Sequence, residues 1–490
     1  MKTSRRRFIQ TGSIAGLGML AASGKPLLGR SADDDEGDKM KSTKRPNVIW
    51  IFGDQHRAQA LSGMGNPNIS TPNMDRMMGA SRTAIAGSPL CSPFRGSLLT
   101  GYYPHRCVPG HDYALPDGAK TIAHYFRQAG YKTAYFGKWH VDGAERRAQG
   151  SRPAFQYVAP ERRGGFDCWL GYENNNAQYD CWVHGHDEAG TPVSHYKLPK
   201  YETDSLSDLL LEHVGRQKPD QPFFAVLSVQ PPHNPYVAPP EYMERHKPEE
   251  TQLRPNVPPV EGFRGPAKAD LSAYHAMIEN LDWNVGRVFE QLRKTGLADD
   301  TVVMYFSDHG DMHGSQARIF KCVPWEESIR VPFLVADGHG KSLPKIRKET
   351  PDLINHVDFL PTTLGICGID APAEIQGTDY SGYFRADRPV PDVESAYLQI
   401  VEPGWKWGYA VDRERPWRGV VTRDGWKYAV LSGEPWLLYN LNNDPFETAN
   451  LALDGRFHVQ RSRLQGLLAK WLERTGDKFD LPDIQWRSGS

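Results

Sequence analysis

Residues 47–52 read Asn-Val-Ile-Trp-Ile-Phe, and Gly53, Asp54 and Gln55 follow them directly. A short, continuous apolar run of this kind is typical of a strand that is buried on both faces of a sheet. The segments between such runs include helical patterns, because apolar side chains in residues 271–292 recur every three or four positions. Strands that alternate with helices predict an α/β fold with a mostly parallel central sheet flanked by helices. The comparable apolar runs are residues 133–136, 223–229, 301–306 and 331–335.

The pattern changes after about residue 372. Residues 419–430 predict a β-hairpin around Asp424 and Gly425, and apolar side chains between residues 464 and 472 form one stripe of a final helix. We therefore expect a catalytic domain at residues 45–372 and a C-terminal subdomain at residues 373–490, built as a smaller antiparallel sheet plus a helix. The polar, aromatic and His-rich segment 164–201 has no clear periodicity, and we interpret it as long loops over the site.

Composition excludes several classes of protein. The 490 residues carry a net charge of −1, so a general basic surface for nucleic acid is not indicated. The six cysteines form no Cys-x-x-Cys pairs, which argues against a zinc module and against a disulfide-dense scaffold. No segment after the first 30 residues approaches 18 consecutive apolar residues, so we predict no transmembrane helix.

The N-terminus contains a motif for export. Residues 4–10 read Ser-Arg-Arg-Arg-Phe-Ile-Gln and precede a weakly apolar stretch, residues 13–22, that is too short to span a bilayer. Paired arginines followed by Phe and Ile resemble a twin-arginine signal, although a basic disordered tail is the alternative. We predict an export signal at residues 1–32 and an acidic, solvated linker at 33–44. Export would require the twin-arginine machinery as a partner and would place the protein in the periplasm or outside the cell.

Four of the predicted strands end in residues that bind metals or transfer protons. Asp54 and Gln55 follow the first strand, and Lys138, Trp139 and His140 follow the run at 133–136. The run at 223–229 leads to His233, and the run at 301–306 leads to Asp308 and His309. The carboxyl ends of parallel strands open onto one crevice, so these side chains are expected to converge. Taken alone, a polar residue at a strand end is more often a turn or cap residue.

Between the first two strands, residues 91–101 read Cys-Ser-Pro-Phe-Arg-Gly-Ser-Leu-Leu-Thr-Gly. Cys-x-Pro-x-Arg followed by Leu-Thr-Gly resembles the signature of the sulfatase family, in which the cysteine is oxidised to formylglycine. Residues 103–105, 324–332 and 438–451 also resemble that family, so the similarity covers nearly the whole mature chain. The resemblance implies an alkaline phosphatase-like fold and the hydrolysis of sulfate esters through a formylglycine made from Cys91 by the formylglycine-generating enzyme.

The family pattern also implies a divalent metal ion. Oxygen-rich ligands suit Ca²⁺ or Mg²⁺. Gln55 stands where many family members carry a second Asp, which lowers the charge of the site and leaves Mn²⁺ as an alternative. The metal ligands that the resemblance implies are Asp54, Gln55, Asp308, His309 and the converted Cys91.

The remaining matched residues would handle charge and protons. Arg95 and Lys138 would hold the nucleophile and the sulfate charge, and His140 would remove a proton from the second hydroxyl of the nucleophile. His233 and Lys321 would bind sulfate and protonate the departing alcohol. Considered one at a time, a lysine in such a position is more often a surface residue, and a histidine is more often a core residue with its hydrogen bonds satisfied.

The expected substrate is an extracellular sulfated saccharide, held by residues 164–201 and 234–265. Two other functions stay open. A phosphonate monoesterase or phosphodiesterase of the same superfamily would use the same nucleophile, although Lys138 and His140 favour the sulfatase. A carbohydrate-binding pseudoenzyme would lack the nucleophile or a ligand, whereas Cys91 and Asp308 are present. The other five cysteines are interpreted as ordinary thiols, with a Cys168–Cys181 disulfide after export as the alternative.

Overall fold

The computed structural model describes residues 45–79, 81–111, 113–143, 152–343, 353–403 and 415–483. The predicted export signal at residues 1–32 and the predicted linker at 33–44 lie outside the described residues. The domain boundary at residue 372 and the export signal stay predictions.

The described residues contain thirteen strands in two sheets. The first nine strands form the large sheet and the last four form the small one. The strands are β1 Asn47–Gly53, β2 Thr83–Ile85, β3 Lys132–Lys138, β4 Cys168–Tyr172, β5 Trp182–His186, β6 Pro192–Lys197, β7 Phe223–Ser228, β8 Thr301–Ser307, β9 Arg330–Asp337, β10 Ser395–Ile400, β11 Trp417–Thr422, β12 Trp426–Leu431 and β13 Glu434–Asn440.

The large sheet has the strand order β2-β9-β8-β1-β7-β3-β4-β5-β6. The central pairs β8–β1, β1–β7, β7–β3 and β3–β4 are parallel. The pairs at the two ends of the sheet are antiparallel. The predicted fold class, a mostly parallel central sheet flanked by helices, is confirmed. All five predicted apolar runs are strands.

Helices pack on both faces of the large sheet, and the last helix of the described residues packs on the small sheet. The helices are α1 Pro72–Met77, α2 Cys91–Thr100, α3 Ile122–Gln128, α4 Glu202–Arg216, α5 Pro240–Met243, α6 Glu261–Thr295, α7 Glu326–Ile329, α8 Phe359–Ile366 and α9 His458–Thr475. None of the helices in the described part of the chain combines the length and the apolar character that crossing a bilayer requires.

The two faces of β1 explain its uninterrupted apolar sequence. Trp50 and Phe52 pack in one apolar cluster with residues of α2, α3 and α8. Ile49 and Ile51 point the other way and pack with residues of α4 and α6. All four side chains are buried, and burying a large apolar side chain stabilises a fold by about 1.5–3 kcal/mol. Packing on both faces therefore holds β1 rigidly up to its end, next to Asp54.

The interpretation of residues 164–201 as loops is wrong. This segment contains β4, β5 and β6, which extend the large sheet to its edge. Strands at an edge keep one side in solvent, so they need no continuous apolar run, and every residue of β6 is at least partly exposed. Because its residues are polar and aromatic, this segment lacks the continuous apolar run that would have predicted strands.

The small sheet confirms the expected C-terminal architecture of an antiparallel sheet plus a helix. Its order is β10-β11-β12-β13, and the hairpin between β11 and β12 turns at Gly425, which has a φ of 80°. Leu464 and Leu468 of α9 pack against Tyr397 and Leu438 of the sheet. All six cysteines are free thiols, Cys168 and Cys181 included.

A buried ion pair ties the end of α9 to the small sheet. Arg418 Nε and Nη2 donate to Asp477 Oδ2 and Oδ1 at 2.6 and 3.1 Å. Tyr397 also donates to Asp477 Oδ2, at 2.6 Å. Burial raises the pKa of Asp477, but the hydrogen bonds and charge of Arg418 outweigh burial, and the net pKa lies below its ordinary value. His105, from the stretch that follows the cysteine motif, lies 3.7 Å from the same carboxylate.

We predict that Asp477→Asn lowers the free energy of unfolding by about 3–5 kcal/mol at neutral pH, because it leaves Arg418 buried without its anion. Urea denaturation measures the difference. Since the folded pKa of Asp477 is lowered, its contribution is present above the ordinary Asp pKa of about 3.9 and is lost as pH falls below that value. The control Arg456→Ala removes an exposed ion pair with Asp454 and should leave the midpoint unchanged. Equal midpoints for both variants would contradict the assignment.

Candidate active site

The ends of four neighbouring parallel strands form the floor of the site. Asp54 follows β1 and Asp308 follows β8, while Lys138 and Ser228 are the last residues of β3 and β7. These strands are adjacent in the order β8-β1-β7-β3. Their carboxyl ends therefore lie side by side, and the structure brings Asp54, Lys138 and Asp308 together as predicted, with Ser228 as an addition that was not predicted.

Cys91 reaches the same place from the first position of α2, a helix whose ten residues are all buried. Its Sγ lies 3.1 Å from His309 Nε2, 3.1 Å from Lys321 Nζ and 3.5 Å from Asp54 Oδ1. The N-terminus of a helix favours negative charge because its backbone N–H groups are unpaired. Lys321, His309 and the helix N-terminus therefore place positive charge beside Cys91, and Asp54 is the one carboxylate among the three contacts named here.

Four side chains can hold a metal ion. Ligand atoms of Asp54, Cys91, Asp308 and His309 all lie within 4.8 Å of one another, and the four residues are fully buried. His309 Nε2 is 3.6 Å from both Asp54 Oδ1 and Asp308 Oδ1. Burial lowers the pKa of His309, but the charge of Asp308 outweighs burial and raises it, so the cluster favours a positive charge at this point. Two carboxylates and an imidazole fit a divalent cation.

Gln55 has its side-chain oxygen turned toward the cluster. Its Oε1 accepts a hydrogen bond from Lys321 Nζ at 2.9 Å, and its Nε2 donates to Asp311 Oδ2. This amide orientation follows from charge, because an ammonium group can only donate and a carboxylate accepts. The Gln55 backbone has a φ of 77° and donates its N–H to Asp308 Oδ1 at 2.9 Å. These contacts fix the Gln55 side chain with its oxygen facing Lys321, which also contacts Cys91, and its role as a metal ligand stays a prediction.

Arg95 and Lys138 neutralise the carboxylates from the side of β3 and β7. Lys138 Nζ lies 2.6 Å from Asp54 Oδ2. Arg95 Nη2 lies 3.4 Å from Asp54 Oδ2 and 3.2 Å from Asp308 Oδ2. Arg95 Nη1 donates to Ser228 Oγ at 2.8 Å and to the carbonyl of Lys138 at 2.9 Å. With Lys321, three buried cations face the two buried carboxylates.

Charge shifts the protonation of the reactive groups. Burial raises the pKa of Cys91, but Lys321, His309 and Lys138 outweigh burial and hold the pKa well below its ordinary value. Burial also raises the pKa of Asp54, and nearby cations, Lys138 first among them, bring it below its usual range. The pKa of Asp308 is raised by burial and by the charge of Asp54.

The two predicted proton-transfer histidines lie in loops beside the cluster. His233 Nδ1 donates to the carbonyl of Asn234 at 2.6 Å, which leaves Nε2 as the atom that can take up or release a proton. Burial, followed by the charge of Lys321, lowers the pKa of His233 to about 3. His140 is buried, with a φ of 57°, and its ring lies 5.1 Å from the ring of His111.

Three residues near the site were not predicted. His111 hydrogen-bonds Cys91 and helps to lower its pKa. Asp311 accepts from Tyr236 OH at 2.6 Å as well as from Gln55, and its other oxygen accepts from the backbone of Phe320 at 3.0 Å. Asp311 lies only three residues after Asp308, so its position near a strand end could have indicated it. Nothing in the sequence near His111 or Tyr236 points to a site.

Comparison with known families matches nearly all of the described chain. The family model described as Sulfatase matches residues 46–369, and the model described as N-sulphoglucosamine sulphohydrolase, C-terminal, matches residues 316–474. An ulvan-active sulfatase from Formosa agariphila is 33% identical over 462 residues, which cover 91% of this chain and 86% of that protein. An endo-4-O-sulfatase from Bacteroides thetaiotaomicron is 29% identical over 519 residues, covering 94% of this chain and 97% of that protein.

A solved structure supports the same similarity. The protein comes from work on the metabolism of multiple glycosaminoglycans by Bacteroides thetaiotaomicron. It superposes with a TM-score of 0.75 at 27% identity, and the match covers 89% of this chain and 97% of the other.

We predict that Asp311→Asn weakens metal binding about 10- to 100-fold, because residues that orient metal ligands contribute effects of this size. A neutral amide at position 311 can turn an N–H toward Gln55 Nε2, and the side chain of Gln55 would then lose this hydrogen bond. Calcium titration by calorimetry measures the dissociation constant. Asp299→Asn, an exposed change, is the matched control. An unchanged dissociation constant in a folded Asp311→Asn protein would show that Asp311 does not position Gln55.

Proposed function

Because this chain belongs to the sulfatase family, we propose that it removes sulfate from an extracellular sulfated carbohydrate with a formylglycine made from Cys91 and a divalent cation. The protein is a sulfuric ester hydrolase.

One observation carries the proposal. Cys91 Sγ lies within 3.1 Å of both His309 Nε2 and Lys321 Nζ, inside a cluster of buried metal-ligand atoms. Burying charged side chains is costly, so they are not expected around a thiol that only fills space in the core. A strongly perturbed nucleophile in a charged, buried cluster is typical of an active site.

Asp54, Gln55, Asp308 and His309 would hold the cation, for which Ca²⁺ is the first choice and Mg²⁺ or Mn²⁺ the alternatives. The cation supplies positive charge that neutralises a sulfate oxygen and favours deprotonation of the nucleophile. Formylglycine, made from Cys91 by the formylglycine-generating enzyme, supplies a hydroxyl nucleophile as its hydrate.

The chain's own residues supply binding and proton transfer. Arg95 and Lys138 already neutralise Asp54 and would also stabilise negative charge on the sulfate. Lys321, whose pKa is raised by nearby anions despite burial, remains a cation and would bind a sulfate oxygen. His233 would give its Nε2 proton to the leaving oxygen, and His140 would accept a proton from the nucleophile so that sulfate departs.

His233 can act as a general acid only when the substrate is bound. Its pKa of about 3 keeps the ring neutral at neutral pH in the free protein. A bound sulfate adds a negative charge next to the imidazole, and a nearby opposite charge raises the pKa of a histidine. Proton donation would therefore be available mainly when a sulfate ester occupies the site.

A carbohydrate substrate is supported by the relatives and by the predicted export signal. Two matched proteins are named as an ulvan-active sulfatase and an endo-4-O-sulfatase, and the superposed structure comes from work on glycosaminoglycans. The twin-arginine motif at residues 4–10 favours action in the periplasm or outside the cell, where polysaccharides are degraded. A panel of sulfated saccharides, with released sulfate as the readout, would identify the substrate.

We expect the peptide that contains residue 91 to carry an aldehyde or its hydrate instead of a thiol when the protein is made with the formylglycine-generating enzyme. Mass spectrometry of that peptide measures the conversion. Cys107, which is also buried, serves as the internal control and should keep its thiol. Fully active protein with an unmodified Cys91 would refute the proposed nucleophile.

We expect His233→Ala to reduce kcat most for sulfate esters with poor leaving groups, by about 10²- to 10⁴-fold, because the lost proton matters most there. For 4-nitrophenyl sulfate, whose leaving group is stable as an anion, the loss should be much smaller. The slope of log kcat against leaving-group pKa measures the difference. The same slope for wild type and variant would exclude His233 as the acid, and faster turnover of phosphodiesters than of every sulfate ester would favour the rival activity.

A further inference from the structure

Glu202, the first residue of α4, carries a buried carboxyl group that the proposed chemistry does not use. Its Oε1 accepts a hydrogen bond from Tyr172 OH at 2.5 Å and another from the backbone N–H of Gln230 at 2.7 Å. An acidic side chain at the start of a helix commonly interacts with the N–H groups of that helix. The donors to Glu202 instead lie 30 and 28 positions away in the sequence, so the side chain connects separate elements of the fold.

Two routes of hydrogen bonds lead from Glu202 to the backbone of His233. On the first route, Gln230 donates its N–H to the Glu202 side chain, and the Gln230 carbonyl accepts from the N–H of His233 at 3.0 Å. On the second route, the N–H of Glu202 donates to the carbonyl of Gln178 at 2.8 Å, and Gln178 Nε2 donates to the carbonyl of His233 at 3.0 Å. Glu202 therefore holds the loop that carries His233 from both sides of its peptide backbone.

Tyr172 connects the same carboxyl group to the opposite side of the site. It is the last residue of β4, where it pairs with Lys138 of β3. Its carbonyl accepts from the N–H of Trp139 at 2.7 Å, and Trp139 stands between Lys138 and His140 in the sequence. The side chain of Tyr172 is fully buried, so its hydroxyl group is held in one place. Glu202 is therefore anchored to the strand that also contacts the segment leading to His140.

The role of this carboxyl group is to accept hydrogen bonds. Burial raises the pKa of Glu202 to about 7, although the hydrogen bonds from Tyr172 and Gln230 act in the opposite direction. A neutral side chain at this position is therefore compatible with the fold. The amide of glutamine has nearly the same shape, and its oxygen can accept both hydrogen bonds. Alanine accepts neither, so these two substitutions separate the hydrogen bonds from the charge.

We propose that Glu202 is a positioning residue that holds the loop of His233 in register with the strand ends that carry Lys138 and lead to His140. It does not touch the reacting groups and acts through His233. The inference rests on the proposed function, in which His233 protonates the leaving oxygen. A general acid must lie within hydrogen-bond reach of that oxygen, and a misplacement of about 1 Å can cost about 100-fold in rate.

The first test replaces Glu202 alone in the enzyme that contains formylglycine. The probes are 4-nitrophenyl sulfate, phenyl sulfate and sulfated disaccharides of chondroitin sulfate and heparan sulfate. Glu202→Ala should lower kcat by about 10- to 100-fold for the probes with poor leaving groups and much less for 4-nitrophenyl sulfate, with KM nearly unchanged. Glu202→Gln should keep kcat within about threefold of the wild type, because both hydrogen bonds can form.

The second test combines Glu202→Ala with His233→Ala. Because Glu202 acts through His233, the double variant should be less than about twofold slower than His233→Ala alone for the probe with the poorest leaving group that the wild type hydrolyses. Glu212→Ala, an exposed change on the same helix, is the matched control and should leave kcat unchanged.

Tyr172→Phe decides the question if Glu202→Ala does not fold. It keeps the buried ring and removes one of the two donors to Glu202. The loss of one hydrogen bond should lower kcat by about three- to tenfold, again mainly for poor leaving groups.

Three results would overturn the positioning role and leave the sulfatase activity standing. They are equal losses for good and poor leaving groups, independent effects of Glu202→Ala and His233→Ala in the double variant, and a Glu202→Gln enzyme as slow as Glu202→Ala. Release of sulfate from none of the probes by the wild type would overturn the proposed function and this inference with it.

Discussion

Arg95 bonds two buried carboxylates at once, and the rest of the site depends on this interaction. Asp54 and Asp308 carry like charges at the ends of adjacent strands, and both are fully buried. Without compensation, such a pair would be strongly destabilising. Arg95 reaches both from α2, and its other nitrogen is fixed by Ser228. The contacts of Arg95 therefore do two things. They compensate the charge of the two buried carboxylates, and they attach the helix that carries Cys91 to the sheet.

The parts of this arrangement that follow from backbone periodicity could be predicted from the sequence. A run buried on both faces, such as residues 47–52, can only be an inner strand, and the ends of parallel inner strands must be neighbours. The sequence alone therefore predicts that Asp54, Lys138 and Asp308 converge. Placing Cys91 among them required the resemblance to a family, because α2 has no sequence feature that fixes where its first residue points.

The parts that could not be predicted depend on contacts across long loops. Strand β6 was missed because an edge strand with a solvated side needs no apolar pattern, and β4 and β5 were missed because glycine or histidine interrupts their apolar residues. His111 reaches Cys91 from a loop without periodicity, and Tyr236 meets Asp311 across 75 positions of sequence. Such contacts are set by the packing of loops and leave no local signal.

The small C-terminal sheet contacts the loop that carries Lys321. Lys321 lies between Phe320 and Cys322, two residues with φ values of 64° and 74°, and such left-handed conformations in non-glycine residues cost of order 1–3 kcal/mol each. Surrounding contacts must hold them: the carbonyl of Cys322 accepts from Trp417 Nε1 at 2.9 Å, and Gln316 Nε2 donates to the carbonyl of Phe446 at 3.0 Å. Both Trp417 and Phe446 belong to the C-terminal part of the chain. The small sheet and the segment that follows it thus help to hold the loop that brings Lys321 to Cys91.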